Sequence, residues 1–417
     1  MRTAVVFTGG ALALCLAAGA VWAAPKPPKP PQAPKPQGNA FRVSSCANCR
    51  QEKPAVAGLA AGGFLTIWEG TSARDANGIS GRLFTAAGTA PTGDFLVSKN
   101  AAPDQYDAAI TRDSQGNILA VWSEVANGNS EIKAQRFLPT GVAVGTPIQV
   151  NTDPEGVTPP PADFNPVVAR TRDGFVVVWI SLVQGSNPAV QARRFSVVGA
   201  PLGPQVKINT GLVNGNRPDV CVDTTGQTVA VWTNVDQIVP FQSNRKGVAL
   251  RRLSATGALL GPEQVVAVPQ ATSVQPAVSC GAGSTFVVVW HTDLPPAADR
   301  TDILGQRYSR LGRKVGQPFR INSNIAGYQR NPSISHDAKG ANFVVAWQAD
   351  LGPREGIYGR RFSNAGTAIG AEFEVVVDND NATEPAFPRV DHIGAAGNFV
   401  IVWQDGSRAI MGRRYTP

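Results

Sequence analysis

The sequence predicts an all-β protein, a seven-bladed β-propeller of four-stranded antiparallel blades. Seven tryptophans follow one another at intervals of 53 to 58 residues, and each ends a short apolar run. They are Trp68, Trp122, Trp179, Trp232, Trp290, Trp347 and Trp403. A repeat of this length with strand-like content in every copy is typical of one supersecondary unit folded many times. The 43 glycines and 33 prolines supply the turns that such a chain requires.

Each copy contains four candidate strands, a to d, separated by turn residues. Strand a follows a proline, strand b is the apolar run, strand c carries an arginine before an aromatic residue, and strand d resembles Phe319–Asn322. Strand b, as in Phe175–Trp179, is apolar without alternation, which predicts burial on both faces. Sheets stacked face to face around an axis, as in a β-propeller, provide that burial.

A displaced strand d predicts how the ring closes. The seventh copy has no strand d after Tyr415, whereas Phe41–Ser44 matches Phe319–Asn322. Both segments start 13 residues before a strand a proline, Pro54 and Pro332. We therefore expect residues 41–44 to complete the last blade and to remove two open sheet edges.

Three segments are expected along the chain. Residues 1–23 read as a signal peptide, with Arg2 before a long apolar stretch, which predicts a secreted, periplasmic or cell-surface protein. Residues 24–40 are rich in proline and lysine and predict an extended linker. Residues 41–417 form the propeller. No later apolar run is long enough for a transmembrane helix.

The charge distribution argues against nucleic-acid binding. The net charge is +8, but residues 1–53 contain seven basic residues and one acidic residue, so this segment carries +6 of it. The repeats are nearly neutral, and their tryptophans lie in apolar runs instead of alternating with basic residues.

Four cysteines follow the signal peptide. Cys46 and Cys49 lie three positions apart in a loop and predict a local disulfide, because no second CxxC or strand-to-helix junction supports a metal or redox site. Cys221 and Cys280 lie in apolar strands and are expected as buried thiols, although disulfide bonding stays open in an exported chain.

The long b-to-c and d-to-a connections predict a ligand-binding face, since variable loops on a rigid frame usually carry binding function. Candidate ligand-binding residues on these connections are His291, Asp293, Arg300, Asp302, Arg354 and Glu355. The alternative is a set of solvated loop residues, because the sequence shows no recognised catalytic constellation.

One position of strand a suggests a metal site. Cys280, His336 and His392 occupy the fourth position after the proline in three consecutive copies. Thiolate and imidazole ligands at one height could bind zinc or copper. The alternative is a buried cysteine with hydrogen-bonded histidines, and no other cofactor is expected.

A repeated arginine in strand c has a structural interpretation. The six residues are Arg136, Arg194, Arg252, Arg307, Arg361 and Arg414, and Leu83 breaks the series. We expect each guanidinium to stack on a neighbouring tryptophan or to bridge to the adjacent blade.

The repeat, with its FVVVW run, G-Q-R-F/Y strand and GxxxGxxFxVN segment, resembles those of poorly characterised secreted and cell-surface bacterial β-propeller proteins over residues 41–417. The resemblance concerns architecture and says almost nothing about activity. We expect a monomeric, non-enzymatic scaffold that binds a protein or polysaccharide through its long loops. The alternative is a secreted hydrolase or lyase with loop carboxylates and His291 at the mouth of the central channel.

Overall fold

A computed structural model describes most of the chain after residue 31. The described residues are 32–71, 77–98, 104–113, 115–126, 129–152, 161–183, 186–211, 213, 217–235, 246–267, 273–293, 300–352, 354–378 and 384–417. The predicted signal peptide and residues 24–31 of the predicted linker lie outside them. Within the described part, the regular secondary structure consists of β-strands and a single 3-10 turn at Ala282–Ser284. No helix of this part is long and apolar enough to cross a membrane.

We number the seven tryptophan-bearing repeats as units 1 to 7. Two short strands precede them, β1 (Lys35–Pro36) and β2 (Phe41–Arg42). Unit 1 contains β3 (Gln51–Gly58), β4 (Phe64–Gly70), β5 (Gly78–Phe84) and β6 (Phe95–Leu96). Unit 2 contains β7 (Asp104–Arg112), β8 (Ile118–Ala126), β9 (Asn129–Phe137) and β10 (Ala143–Gln149). Unit 3 contains β11 (Ala162–Arg170), β12 (Gly174–Leu182), β13 (Ala189–Ser196) and β14 (Val206–Lys207).

The remaining units follow the same order. Unit 4 contains β15 (Asp219–Val222), β16 (Thr228–Val235), β17 (Lys246–Leu253) and β18 (Leu259–Ala267). Unit 5 contains β19 (Ser273–Cys280), β20 (Phe286–Asp293), β21 (Thr301–Tyr308) and β22 (Lys314–Arg320). Unit 6 contains β23 (Tyr328–His336), β24 (Asn342–Asp350), β25 (Glu355–Ser363) and β26 (Phe373–Asp378). Unit 7 contains β27 (Ala386–Ile393), β28 (Asn398–Gln404) and β29 (Ile410–Thr416).

The hydrogen-bonded sheets correct the predicted architecture. The chain is an all-β propeller, but the expectation of a seven-bladed propeller of four-stranded antiparallel blades is wrong. The described strands form six sheets, and five of these have the size of one blade, four with four strands and one with five. The sixth sheet has eight strands, because a parallel bridge between Thr301 and Tyr328 joins β21 to β23. The period in sequence could not reveal this bridge between copies.

The closing sheet also differs from the expectation of one strand at residues 41–44. Strand β2 is two residues long and pairs with β29 through Phe41 and Arg42. Strand β1 pairs with the same β29, so this sheet contains five strands. The Val43 N–H still donates to the Ile410 carbonyl at 2.7 Å, and Val43 is fully buried.

The apolar second strand of each unit forms the core. All seven repeat tryptophans have an exposed fraction of 2 % or less. Apolar side chains of adjacent units pack together between the sheets, as Trp122 does with Leu65 and Ile67 of unit 1. Two-face burial therefore requires a neighbour on each side of every unit. The first strands contact one another in order around a closed ring, in which β27 contacts β3.

Four of the six strand c arginines bridge to the next unit, which was one of the two interpretations: Arg136, Arg252, Arg307 and Arg414. Arg194 instead forms an ion pair with Asp173 of its own unit. Arg252 donates to the Arg310 carbonyl at 3.0 Å, and Arg307 donates to the Asn364 carbonyl at 3.0 Å. The receiving turns contain a glycine at positive φ, such as Gly312 (φ 75°). A Cβ at Gly312 would lie 2.6 Å from the Arg252 Nε, so the turn glycine makes room for the arginine.

Polar side chains of the first strands join neighbouring units near the axis. The Ser279 hydroxyl accepts from the His336 N–H at 3.1 Å, and the Asp391 Oδ2 accepts from the Gly58 N–H at 2.8 Å. The second bond links unit 7 to unit 1 across 333 positions of sequence. The ring is therefore closed at its inner side as well as by β2.

The N-terminal closure gives a testable stability effect. We expect deletion of residues 41–44 to lower the free energy of unfolding by on the order of 3 kcal/mol or more, because it removes buried Val43 and the packing of Phe41 on Phe84. Thermal unfolding of a chain that starts at residue 24 measures the change. Deletion of residues 25–31 is the control and should leave the melting temperature unchanged. Equal melting temperatures for the two deletions would contradict the closure.

Candidate functional site: the central cavity

The first strands of all seven units surround a cavity of about 510 Å³. Its lining includes residues of every one of these strands, from Ala55 in β3 to Asp391 in β27. Pockets that hold small ligands commonly measure about 300 to 1,000 Å³. The cavity therefore has the size of a small-ligand site, and its wall consists of the first strands of the units.

A ring of seven residues with left-handed backbone conformation marks one level of this cavity. Each precedes the first proline of strand a, or Ala108 in unit 2. They are Lys53 (φ 46°), Asp107 (φ 55°), Asn165 (φ 53°), Arg217 (φ 31°), Gln275 (φ 53°), Asn331 (φ 54°) and Phe387 (φ 52°). All except Phe387 line the cavity. We call these seven positions the left-handed ring.

A β-bulge accounts for the backbone of the left-handed ring. In unit 1 the register between β3 and β4 shifts between Glu52 and Ala55, so Lys53 is left out of the ladder. The same shift occurs in units 2, 3, 5, 6 and 7. Left-handed conformation costs a residue with a side chain about 1 kcal/mol or more, and it persists where the surrounding structure enforces it.

Side chains of the preceding unit hold several of these bulges in place. Each of the residues that supply these side chains directly follows the repeat tryptophan of its own unit. The Glu69 Oε2 accepts from the Asp107 N–H at 2.7 Å, and the Thr233 hydroxyl accepts from the Gln275 N–H at 3.3 Å. The Gln404 Oε1 accepts from the Lys53 N–H at 3.3 Å. The ring is thus fixed by contacts between units.

Two cations of the left-handed ring have different surroundings. The Lys53 Nζ lies 2.8 Å from the Glu69 Oε1 and 3.0 Å from the Asp107 Oδ1. Burial opposes the charged form of Lys53, but these two carboxylates outweigh it and raise its pKa. Arg217 instead lies over the Phe387 ring, with 5.0 Å from its guanidinium carbon to the ring centroid.

The next positions of strand a add a half-buried acid, Asp219, and a half-buried base, Arg389. The Asp219 carboxylate accepts from the Val278 N–H at 2.8 Å and from the Val220 N–H at 2.9 Å. Burial raises the pKa of Asp219 to about 6. Burial and the nearby Arg217 lower the pKa of Arg389 to about 10, although Asp219 opposes this change. Both side chains line the cavity.

The structure does not assemble the predicted ligand-binding residues into one site. His291 pairs with Ile303 across β20 and β21, whereas Asp302 pairs with Thr292, so His291 and Asp302 point to opposite faces of the sheet. Asp302 is fully buried and accepts from the Asn322 Nδ2 at 2.7 Å. The Asp293 side chain lies outside the described part of the structure.

The other predicted ligand residues also lie away from the cavity lining. Arg300 directly precedes β21. Arg354 forms an exposed ion pair with Glu374 at 2.9 Å, and Glu355 lies opposite Asp378 on β26. Much of the b-to-c and d-to-a connections falls outside the described residues, so their part in binding stays a prediction.

The metal hypothesis finds no support among the described residues. Cys280 is bonded to Cys221, so it offers no thiolate. His336 Nδ1 lies 2.9 Å from the Ser279 hydroxyl, and His392 Nδ1 lies 3.1 Å from the Ser335 hydroxyl. In this part of the chain no group of three potential ligands is placed to hold a metal ion.

The cysteines form two disulfides in the described structure. Cys46 is bonded to Cys49. The bond between Cys221 and Cys280 differs from the expected buried thiols. Cys221 lies three positions after Pro218 and Cys280 lies four positions after Pro276, in the first strands of consecutive units, and these similar positions could have indicated the pairing.

The same repeated proline could have indicated the left-handed ring, which the sequence analysis missed. The residue before it changes from copy to copy and includes Lys53, Asp107 and Arg217. A variable polar position at a fixed place in a strongly repeated strand indicates a role beyond packing. The bulge that turns this position towards the cavity becomes visible only in the structure.

Comparison with known proteins supports the fold alone. No protein-family model and no curated protein sequence matches the chain. A solved protein of unknown function from Dyadobacter fermentans DSM 18053 is 12% identical, with a TM-score of 0.54 over 92% of this chain and 99% of that chain. A PL25 ulvan lyase bound to -[GlcA(1-4)Rha3S]- is 10% identical, with a TM-score of 0.55 over 93% of this chain and 94% of that chain.

An arabinanase is also similar in structure. The Penicillium chrysogenum alpha-L-arabinanase complexed with arabinobiose is 14% identical, with a TM-score of 0.50 over 79% of this chain and 100% of that chain. Identities this low establish a shared propeller fold and carry no statement about activity.

The three histidines of the chain predict acid sensitivity. Burial lowers the pKa of His291, His336 and His392 to about 4 in each case. Between pH 6.5 and 4 the unfolded chain therefore binds protons that the folded protein excludes, and stability falls as the pH falls, by on the order of 2 kcal/mol per histidine. The raised pKa of Asp219 has the opposite sign and offsets part of this loss.

Urea unfolding at pH 5.0, 6.0 and 7.5 measures this dependence. The variant H291Q/H336Q/H392Q contains no histidine, so its stability should change much less between pH 7.5 and 5.0 than that of the parent. Equal pH dependence in the two proteins would show that the buried histidines are not responsible.

Proposed function

We propose that the protein is a non-catalytic glycan-binding protein that holds a sugar residue in the central cavity. The left-handed ring carries this proposal. It places side chains of different chemistry at equivalent positions of one rigid frame, six of them on the cavity wall. Strained residues retained at one level of a cavity are a feature of functional sites.

The chemistry of the ring favours a polyhydroxylated ligand. Asn165 and Gln275 supply amide groups, which both donate and accept hydrogen bonds, and Arg217 supplies further donors. Sugar hydroxyls also donate and accept, so this set matches them. A cavity of about 510 Å³ accommodates a small part of a glycan, whereas a folded protein partner would contact only its rim.

The carboxylates of the cavity favour binding over hydrolysis, because each is engaged by other groups of the protein. Glycosidases use two carboxyl groups that are available to the substrate. Asp107 is paired with Lys53, and Asp391 accepts from Gly58, Ser335 and His392. Asp219 accepts two backbone hydrogen bonds.

A hydrolase or lyase remains the second candidate function because of Asp219. Its pKa of about 6 lies in the range of catalytic acids. This candidate differs from the predicted one, which placed His291 and loop carboxylates at the channel mouth. Assays for released reducing ends and unsaturated products separate catalysis from binding.

We also propose that the protein is exported. The signal-like residues 1–23, the two disulfides and the resemblance of the repeat to secreted propeller proteins support this proposal. Fractionation with intact-mass measurement should find the protein outside the cytoplasm and without residues 1–23. A full-length cytoplasmic protein would contradict export.

Calorimetric titration with soluble oligosaccharides tests the function. The panel contains neutral arabino-, gluco- and galacto-oligosaccharides together with oligogalacturonate and oligoglucuronate. We expect at least one to bind, and the variant N165G/Q275G should bind it about tenfold more weakly, because it removes two hydrogen-bonding groups. Glycine is chosen because it tolerates positive φ.

The variant Q264A provides the matched control, since it removes an amide from the outer strand β18. It should bind as the parent protein does. Absence of binding to every panel member at millimolar concentration, or turnover of any of them, would overturn the proposal of a non-catalytic glycan-binding protein.

A further inference from the structure

Arg217 and Arg389 enter one cavity from different sides of the ring. Arg217 belongs to unit 4 and Arg389 to unit 7, and both line the cavity. Arg217 stacks on Phe387, which is two residues before Arg389 in the same strand. The two guanidinium groups are therefore held in one neighbourhood by strands that are far apart in sequence.

Neither guanidinium has an ion-pair partner among the described residues. Among these residues the Arg217 guanidinium contacts the Phe387 ring, and it makes no hydrogen bond and has no carboxylate within 4 Å. Arg389 donates one hydrogen bond, to the Pro388 carbonyl at 3.0 Å. Most of their N–H donors are thus unused by these residues. Partly buried cations are normally paired, since removing a charge from water without compensation is costly.

The nearby carboxylates are committed to other groups. Glu69 and Asp107 both contact the Lys53 ammonium. Asp219 is close enough to attract Arg389, but it does not reach ion-pair distance, and its two oxygens accept backbone hydrogen bonds. Lys53 is consequently paired with two carboxylates, whereas neither arginine has a carboxylate at ion-pair distance among the described residues.

We propose that Arg217 and Arg389 form a subsite for the carboxylate group of an acidic sugar. The inference rests on the proposed glycan-binding function and specifies its ligand class. A carboxylate is planar and accepts paired hydrogen bonds from the guanidinium fork, which a lysine ammonium cannot supply in the same geometry. The stack of Arg217 on Phe387 limits the orientation of its guanidinium before a ligand arrives.

Asp219 sets the selectivity of this subsite. Its negative charge attracts Arg389 and repels an anion in the same cavity. Removal of this charge should strengthen anion binding. A purely structural role of Asp219 predicts the opposite, because loss of a carboxylate that accepts two backbone hydrogen bonds would loosen the site.

Calorimetric titration with three matched sugars tests the subsite. The probes are a methyl glycoside, its uronic acid and its 6-sulfate, each in the gluco and galacto series. The uronic acid should bind at least about tenfold more tightly than the neutral glycoside, which is the effect of a charge-assisted hydrogen-bond pair.

The variant R217Q should lose this preference for the uronic acid, and R217K should retain part of it. R313Q is the control, since Arg313 is an exposed arginine in the turn between β21 and β22 outside the cavity lining, and it should keep the full preference.

The role of Arg389 is tested by one substitution of Arg389 and one of its neighbour Asp219, because R389Q would leave the Asp219 carboxylate without a nearby cation. R389K keeps the charge and should reduce the preference for the uronic acid several-fold, whereas D219N should increase the affinity for it several-fold. Circular dichroism establishes that each variant is folded. Weaker binding of the uronic acid by folded D219N would overturn the proposed subsite.

The outcomes separate this subsite from glycan binding itself. Equal affinities for the neutral glycoside and the uronic acid would overturn the carboxylate subsite and leave glycan binding supported. Tighter binding of the 6-sulfate than of the uronic acid would overturn the assignment to a carboxylate. Failure of all six sugars to bind, together with failure of the longer oligosaccharides, would overturn the proposed function.

Discussion

Burial of the second strand of each unit on both faces is the constraint on which the structure depends. A strand such as β12, apolar on both faces, is stable only between two layers of side chains. Every sheet must therefore pack against a neighbour on each side, and a closed ring satisfies this requirement without an exposed end. The seven tryptophans lie in these layers and are buried for the same reason.

The ring also depends on polar contacts that the apolar layers cannot replace. Arginines of strand c end on the turns of the next unit, as Arg307 does on the Asn364 carbonyl. Near the axis, Ser279 and Asp391 accept backbone hydrogen bonds from the following first strands. The disulfide between Cys221 and Cys280 joins two adjacent first strands covalently. Apolar packing thus holds the sheets together, while these directional contacts fix their relative positions.

The cavity follows from the same geometry. The first strands surround the axis, and in six of the seven units a bulge in this strand leaves one residue out of the ladder. Because a side chain of the neighbouring unit holds the backbone at this position, as Glu69 holds that of Asp107, the side chain at the position itself can vary. Lys53, Arg217 and Phe387 occupy equivalent backbone positions with different chemistry. A repeated fold can acquire an asymmetric binding site in this way without a change of its core.

The sequence by itself determined the local structure, because the apolar runs, prolines and turn glycines act over a few residues. It predicted the all-β propeller and the position of every second strand. It did not reveal the bridge between Thr301 and Tyr328, the pairing of β1 with β29, or the bond between Cys221 and Cys280. These contacts join different units, and sequence spacing cannot show which side chains meet across the axis. For that reason only the tertiary structure separated His291 from Asp302 and brought Arg217 and Arg389 into one cavity.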